Sequence, residues 1–328
     1  MRNKINAMCF MVYTVIVMCT GCTSEEMEEL QSDKDGIDTQ QAAVQDVSAR
    51  EILEEKLHQD MSGVILQPDN TAQIKSRTVP EVNLNAFLDS ISQVSSMQVE
   101  QSFHAADGNW EEGETRNHVV RTESYRGFFD VHIKEGFYEE SVADKPDNLP
   151  DDYFMSKTGV MLSEMGVHAE ESDSHEVWRL MRASRPTKIN GELLDPTLED
   201  KVTVSPVMKK VTFYREVGGI PVLGNRLTFS FTLDGEFLSI SGRWTSVDYA
   251  ASQVSSDLSI TDFRDRMLDR VAAMGLEPGK IEKIYLRTFY KTEENATGKQ
   301  VLNLYGNAIL AIEDASGTGK RIDVSLDI

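Results

Sequence analysis

The chain has 328 residues and carries 54 acidic against 33 basic side chains, a net charge of −21. Such an excess of acid repels phosphate backbones and anionic head groups, which argues against nucleic-acid binding. Its three cysteines, Cys9, Cys19 and Cys22, all lie in the first 22 residues. The remainder therefore has no disulfide, thiolate metal site or cysteine nucleophile.

Arg2 and Lys4 give a positive start, and residues 5–18 are apolar apart from Asn6 and Thr14. The run is too short to span a bilayer and gives way at once to acidic sequence, the pattern of a signal peptide. It ends in Cys19-Thr20-Gly21-Cys22, which resembles a bacterial lipobox, with small Gly21 before the cysteine that takes lipid; Cys19 stands where the motif usually has Leu. The resemblance implies a cleaved leader over 1–21 and an acyl anchor on Cys22. That anchor would hold the domain on the outer side of a cell membrane or outer membrane. Residues 22–78 are rich in Glu, Asp, Gln and Ser and read as a flexible acidic tether. Asp33-Lys34-Asp35-Gly36 superficially matches a calcium loop, but the twelfth position is Val44 where a bidentate Glu is needed.

From residue 79 the pattern changes. Leu84, Phe87, Leu88, Ile91 and Val94 recur at helical spacing and predict a helix over 82–95. Residues 97–104, 119–125 and 127–134 are strand-like, with His132 on the side opposite Phe129, Val131 and Ile133. Asp151 or Asp152 caps a helix running to about 167, whose stripe is Phe154, Met161 and Met165. The segment from His168 to Glu176 is the densest group of metal-ligand types. Its spacing fits neither His-Glu-x-x-His nor a closed zinc site, so no metal is expected. Residues 177–183 predict a strand containing Trp178, and 185–204 an irregular loop.

The most legible stretch is 211–244. β-Branched and aromatic residues over 211–217 predict a strand that reaches Gly218-Gly219. Gly219-Ile220-Pro221-Val222 then reads as a bend or an edge segment. Leu227, Phe229, Phe231 and Leu233 alternate with Thr228, Ser230 and Thr232. Asp234-Gly235 is a tight turn, after which Leu238, Ile240, Gly242 and Trp244 alternate again, an antiparallel hairpin. This order of strand, Gly-Ile-Pro-Val with Gly224, strand, Asp-Gly turn and strand resembles the propeptide modules of thermolysin-type proteases and the related PepSY domains. The resemblance covers 151–250 and implies a helix on a curled antiparallel sheet. It further implies a role as chaperone, protease inhibitor or extracytoplasmic sensing module, with no catalytic residues to carry over.

Ser259 with Asp262 fits a helix-capping pattern, and Ile260, Phe263, Met267, Val271 and Met274 continue the helix to Gly275. Residues 281–290, 301–313 and 321–328 read as strands. The fold class is therefore α+β, with helix-first units on curled antiparallel sheets. A core occupies 79–250, with its PepSY-like part at 151–250, and a C-terminal unit occupies 251–328.

Nucleophile elbows, dinucleotide fingerprints and phosphate-binding glycine loops are absent from the sequence, so no catalytic residue and no cofactor is assigned. The expectation is a non-enzymatic, lipid-anchored envelope protein that binds a protein or peptide, senses, or serves as a structural module. Gly219, Ile220, Pro221 and Val222 are the candidate partner-binding residues, through addition of an extended peptide at a strand edge. Protection of that edge by Pro221 is the competing explanation. Two alternatives stay open: an inhibitor or chaperone of a secreted protease, and an envelope hydrolase whose carboxylates cannot be sorted from the many acids present.

Overall fold

The computed structural model describes residues 49–78, 103–105, 110–114, 117–123, 127–142, 145–184, 188–189, 192–193, 203–313 and 319–328. The leader, Cys22 and the helix expected over 82–95 lie outside the described residues. In chain order the elements begin with a helix over 49–56 (α1) and α2 (Thr71–Lys75). Four strands follow, β1 (Phe103–Ala105), β2 (Trp110–Glu114), β3 (His118–Glu123) and β4 (Phe128–Ile133), then α3 (Glu135–Val142) and α4 (Asp151–Glu164). Next come β5 (Ser174–Ser184), the short pair β6 (Lys188–Ile189) and β7 (Glu192–Leu193), β8 (Thr203–Val217), β9 (Ile220–Phe231) and β10 (Phe237–Arg243). The chain closes with α5 (Ile260–Ala272), β11 (Ile281–Glu294), β12 (Gln300–Glu313) and β13 (Gly319–Asp327). It divides into two units. One takes in Met1–Thr39 and Arg182–Ser205 and contains the β6–β7 hairpin; the other, Gln40–Met181 with Pro206–Ile328, holds the two helix-covered sheets described next.

β9 is the strand common to both sheets. Its second half pairs antiparallel with β8 on one side and β10 on the other. From β10 the larger sheet continues through β4, β3 and β2 to β1, and β5 pairs with β8. The start of β9 meets β11 in parallel, Val222 beside Tyr290. β11, β12 and β13 then form an antiparallel meander. The class is α+β.

Among the described residues, each sheet has one long helix packed on its apolar face. Phe154, Met161 and Leu162 of α4, with Met165 just beyond it, pack on Phe213, Phe229, Phe231, Ile240 and Trp244. On the smaller sheet Phe263, Met267, Leu268 and Val271 of α5 meet Ile284, Leu286, Ala308 and Leu310. Each such side chain stabilises the fold by roughly 1.5–3 kcal/mol on burial. α5 starts where expected, with Ser259 Oγ accepting the Asp262 amide at 3.0 Å. α4 does not use an aspartate cap. Pro150 occupies that position, and Asp151 and Asp152 sit in the first turn, where the helix dipole favours them.

Two expectations require correction. Residues 49–78 are not free tether: Leu53, Val64 and Leu66 are buried in the α5 core, and Ile74 is buried between the sheets. The His58 amide donates to Ile284 O at 2.8 Å and the Thr288 amide to Gly63 O at 2.9 Å, so the segment runs along the edge of β11 as a strap. Its few apolar residues are too widely spaced to announce a core, and their partners lie far along the chain, for example 223 positions between Ile65 and Thr288. The second correction concerns β10. A bulge between Phe237 and Ser239 shifts the register, so Leu238 and Ile240, expected on one face, enter different cores.

Gly218 and Gly219, at φ of 60° and 79°, form the two-residue turn that joins β8 to β9. Both positive angles match a primed hairpin turn, which residues with a Cβ adopt reluctantly. No helix among the described residues is long and apolar enough to cross a membrane.

Candidate functional site

The acid-rich segment after α4 serves the interior. Glu171, in a single 3-10 turn (Ala169–Glu171), is fully buried beside the fully buried Arg215 of β8. Arg215 Nε donates to Glu171 Oε2 at 2.8 Å, and Nη2 donates to the Tyr249 hydroxyl at 2.8 Å. Arg215 Nη1 reaches Thr245 O, and its guanidinium lies 5.3 Å from the Trp244 ring centre. Tyr249 in turn donates to Glu171 Oε1. Burial, reinforced by Glu171, pushes the Tyr249 hydroxyl well above the usual tyrosine range, so it stays protonated and able to donate. At the end of the strap Arg77 donates to Glu170 at 2.6 Å and approaches Glu171 at 3.5 Å. This network is enclosed and joins elements rather than presenting groups to a ligand.

The other face of the larger sheet is different. Its helix-covered face is apolar, but the residues that alternate with Val211, Phe213, Phe229 and Ile240 are mostly polar, small in the middle and large toward the two ends. Register places Tyr214, Arg226, Arg243 and Phe128 in one row across β8, β9, β10 and β4. The next row is Thr212, Thr228, Ser241 and Asp130, with Arg121 of β3 beyond. The third is Lys210, Ser230, Ser239 and His132. Hydroxyl side chains thus floor the middle, and Thr212 Oγ1 lies 3.0 Å from Thr228 Oγ1. Trp178 of β5, exposed, stands on one side with the Lys210 ammonium 5.0 Å from its ring centre. Burial lowers the Lys210 pKa, with no opposing charge to restore it. Asp130 and His132 stand on the other side, 3.5 Å apart. One end is closed by α3, where Val142 meets Val207, Met208 and Leu238.

At the start of β3, which lies between β2 and β4, His118 is 2% exposed and stacks on Phe237 with ring centres 5.8 Å apart. Burial pushes its pKa down to about 4, so it is neutral at physiological pH.

The residues singled out from sequence fall elsewhere. Gly219 and Pro221 are exposed, whereas Ile220 and Val222 are buried in the core between the sheets. Pro221 pairs with Glu216 of β8, and Val222 is flanked by β11, so this part of β9 has neighbouring strands on both sides. His168 precedes the Glu171 turn, and His175 lies 5.8 Å from the Phe213 ring. Among the described residues no group of three or more His, Cys, Asp or Glu is gathered as metal ligands would be. Sequence reasoning missed the Arg226–Arg243 row. The tight Asp234-Gly235 turn was a signal for it, but the bulge moves Arg243 from opposite Asn225 to opposite Arg226.

Fold and site together define an α+β protein whose larger sheet is helix-covered on one face and polar, aromatic-rimmed and cationic on the other. No protein-family model matches the chain, and no curated protein matches it. Among solved structures it is similar to an uncharacterized protein from Eubacterium rectale ATCC 33656, at 10% identity and a TM-score of 0.43, over 74% of this chain and 77% of that one. It is also similar to the Bacillus megaterium YpeB C-terminal domain, at 11% identity and a TM-score of 0.26, over 74% of this chain and 98% of that one.

Proposed function

We propose that this is a lipid-anchored envelope protein, held at the membrane through Cys22, that binds a protein or peptide and catalyses no reaction. Supporting it is the open sheet face, where Trp178, Lys210, Arg226 and Arg243 flank a floor of serines and threonines. An exposed aromatic ring, Trp178, beside cations on a rigid sheet suits recognition of an extended partner. The PepSY-like order of elements over 151–250 is consistent with such a module, and no cofactor enters the reading.

The test is a pull-down from envelope extract with bait spanning residues 23–328, identified by mass spectrometry. Bait starting at residue 79 would lack the strap that carries Leu53, Val64, Leu66 and Ile74. A specific partner competed away by excess free bait supports the reading; its absence from repeated extracts sinks it. The anchor is tested separately by incorporation of a fatty-acid analogue, expected to be lost in Cys22→Ala.

A further inference from the structure

We infer that the open face of the larger sheet receives an extended acidic segment of a partner protein, one carboxylate between Arg226 and Arg243 and a second at Lys210. This rests on the peptide-binding reading above and gives the ligand its chemistry.

The first observation is the arginine pair. Arg226 and Arg243 are directly opposed on β9 and β10, and both are exposed. Neither has a hydrogen-bond or ion-pair partner among the described residues. Like charges facing each other across a ladder destabilise a sheet. The bulge between Phe237 and Ser239 is what brings them opposite. The chain has 54 acidic side chains, yet none of those described relieves the pair. A carboxylate supplied from outside does, since two guanidinium forks can close on its oxygens with charge-assisted hydrogen bonds. Tyr214 and Phe128 bracket the pair in the same row; their rings flank the incoming side chain, the Tyr214 hydroxyl donating outward to Glu176 Oε2 at 2.9 Å.

The second observation is spacing. Lys210 lies four positions from Tyr214 along β8, about 13 Å at the usual rise of a strand. An extended peptide has the same rise, and its residues i and i+4 point to the same side, so acids four apart reach both cationic points. Acids at that separation on a helix lie only about 6 Å apart and do not. Between the two points the floor is Thr228, Ser230, Ser239 and Ser241: the exposed Ser241 and the half-buried Thr228 and Ser239 offer hydroxyls to a backbone, while Ser230 is buried beneath them. The whole-chain charge of −21 opposes an acidic ligand at long range. At physiological salt the screening length is about 8 Å, so contacts at hydrogen-bonding distance decide binding.

The test is fluorescence anisotropy with a labelled Ser/Thr-rich nonapeptide carrying two glutamates four residues apart, titrated with the full chain in detergent. Binding is expected to fall at least about tenfold when both glutamates become glutamine, as each charge-assisted contact commands. A similar loss is expected in Arg226→Gln/Arg243→Gln, and a smaller one in Lys210→Gln. Melting temperatures of the variants at or above the parent's would show that the fold is kept and the like-charge strain relieved. Equal binding of the glutamate and glutamine peptides, or undiminished binding by the double variant, overturns the inference. So does polygalacturonate binding where the peptide does not. In the pull-down, a partner retained by the double variant overturns the acidic-segment assignment while leaving the binding reading intact; no partner at all overturns the binding reading.

Discussion

Replacing Arg215 by methionine tests what holds the two sheets in register. The substitution keeps an unbranched side chain over Trp244 but removes the donors to Glu171, Tyr249 and Thr245 O. Glu171 is then a carboxylate of zero exposure, left with Tyr249 and the more distant Arg77 at 3.5 Å. Breaking a buried pair by removing one partner costs about 3–5 kcal/mol, because an uncompensated charge stays in the interior. Against a domain stability of about 5–15 kcal/mol, that is enough to unfold a large share of molecules under mild denaturant. Urea denaturation followed by circular dichroism and by tryptophan fluorescence is the assay, and Trp244 under the guanidinium is a local reporter. Glu171→Leu combined with Arg215→Met removes both charges and is expected to recover more than half of the loss, a coupling that a double-mutant cycle reads directly. A loss below about 1 kcal/mol for Arg215→Met, or simple additivity in the cycle, refutes the reasoning.

His118, held near a pKa of about 4 against an ordinary 6.5, predicts acid lability. Its neutral form is the one the fold favours, so its contribution is complete above pH 6.5 and is lost as pH falls toward 4. At about 1.4 kcal/mol per pH unit the loss totals roughly 3 kcal/mol, and His118→Gln should flatten the dependence in urea titrations at successive pH values. Gly242→Ala would place a Cβ 2.0 Å from Arg226 O at a φ of 140°, and a loss of at least about 2 kcal/mol in thermal melts is expected. Leu53→Ala opens a cavity in the α5 core and is expected to cost about 2–5 kcal/mol, whereas a strap that merely hung from the domain would show no change.

The helices α4 and α5 and the β9–β10 hairpin were legible because their signals are local: a 3.6-residue stripe, a serine cap, an Asp-Gly turn. The open face was legible only in part. Thr228 and Ser230 follow from alternation, but opposing Arg243 to Arg226 depends on a one-residue bulge that alternation does not encode. In sequence the strap has the signature of a tether, because Leu53, Val64, Leu66 and Ile74 are scattered through acidic residues and only distant strands make them a core. Glu171 looked like one acid among many, since nothing near it announces that Arg215, 44 positions on, will meet it.

The strap also orders events in time. Its hydrogen-bonding partners, Ile284 and Thr288, are synthesised long after it, 223 positions separating Ile65 from Thr288. Loop-closing contacts of that span form late and slowly. The edge of β11 therefore stays uncapped until residues 57–66 return to it. During that interval the nascent chain presents an unpaired strand edge, a template for joining another molecule. A chaperone acting on this protein would do most good between emergence of β11 and arrival of the strap.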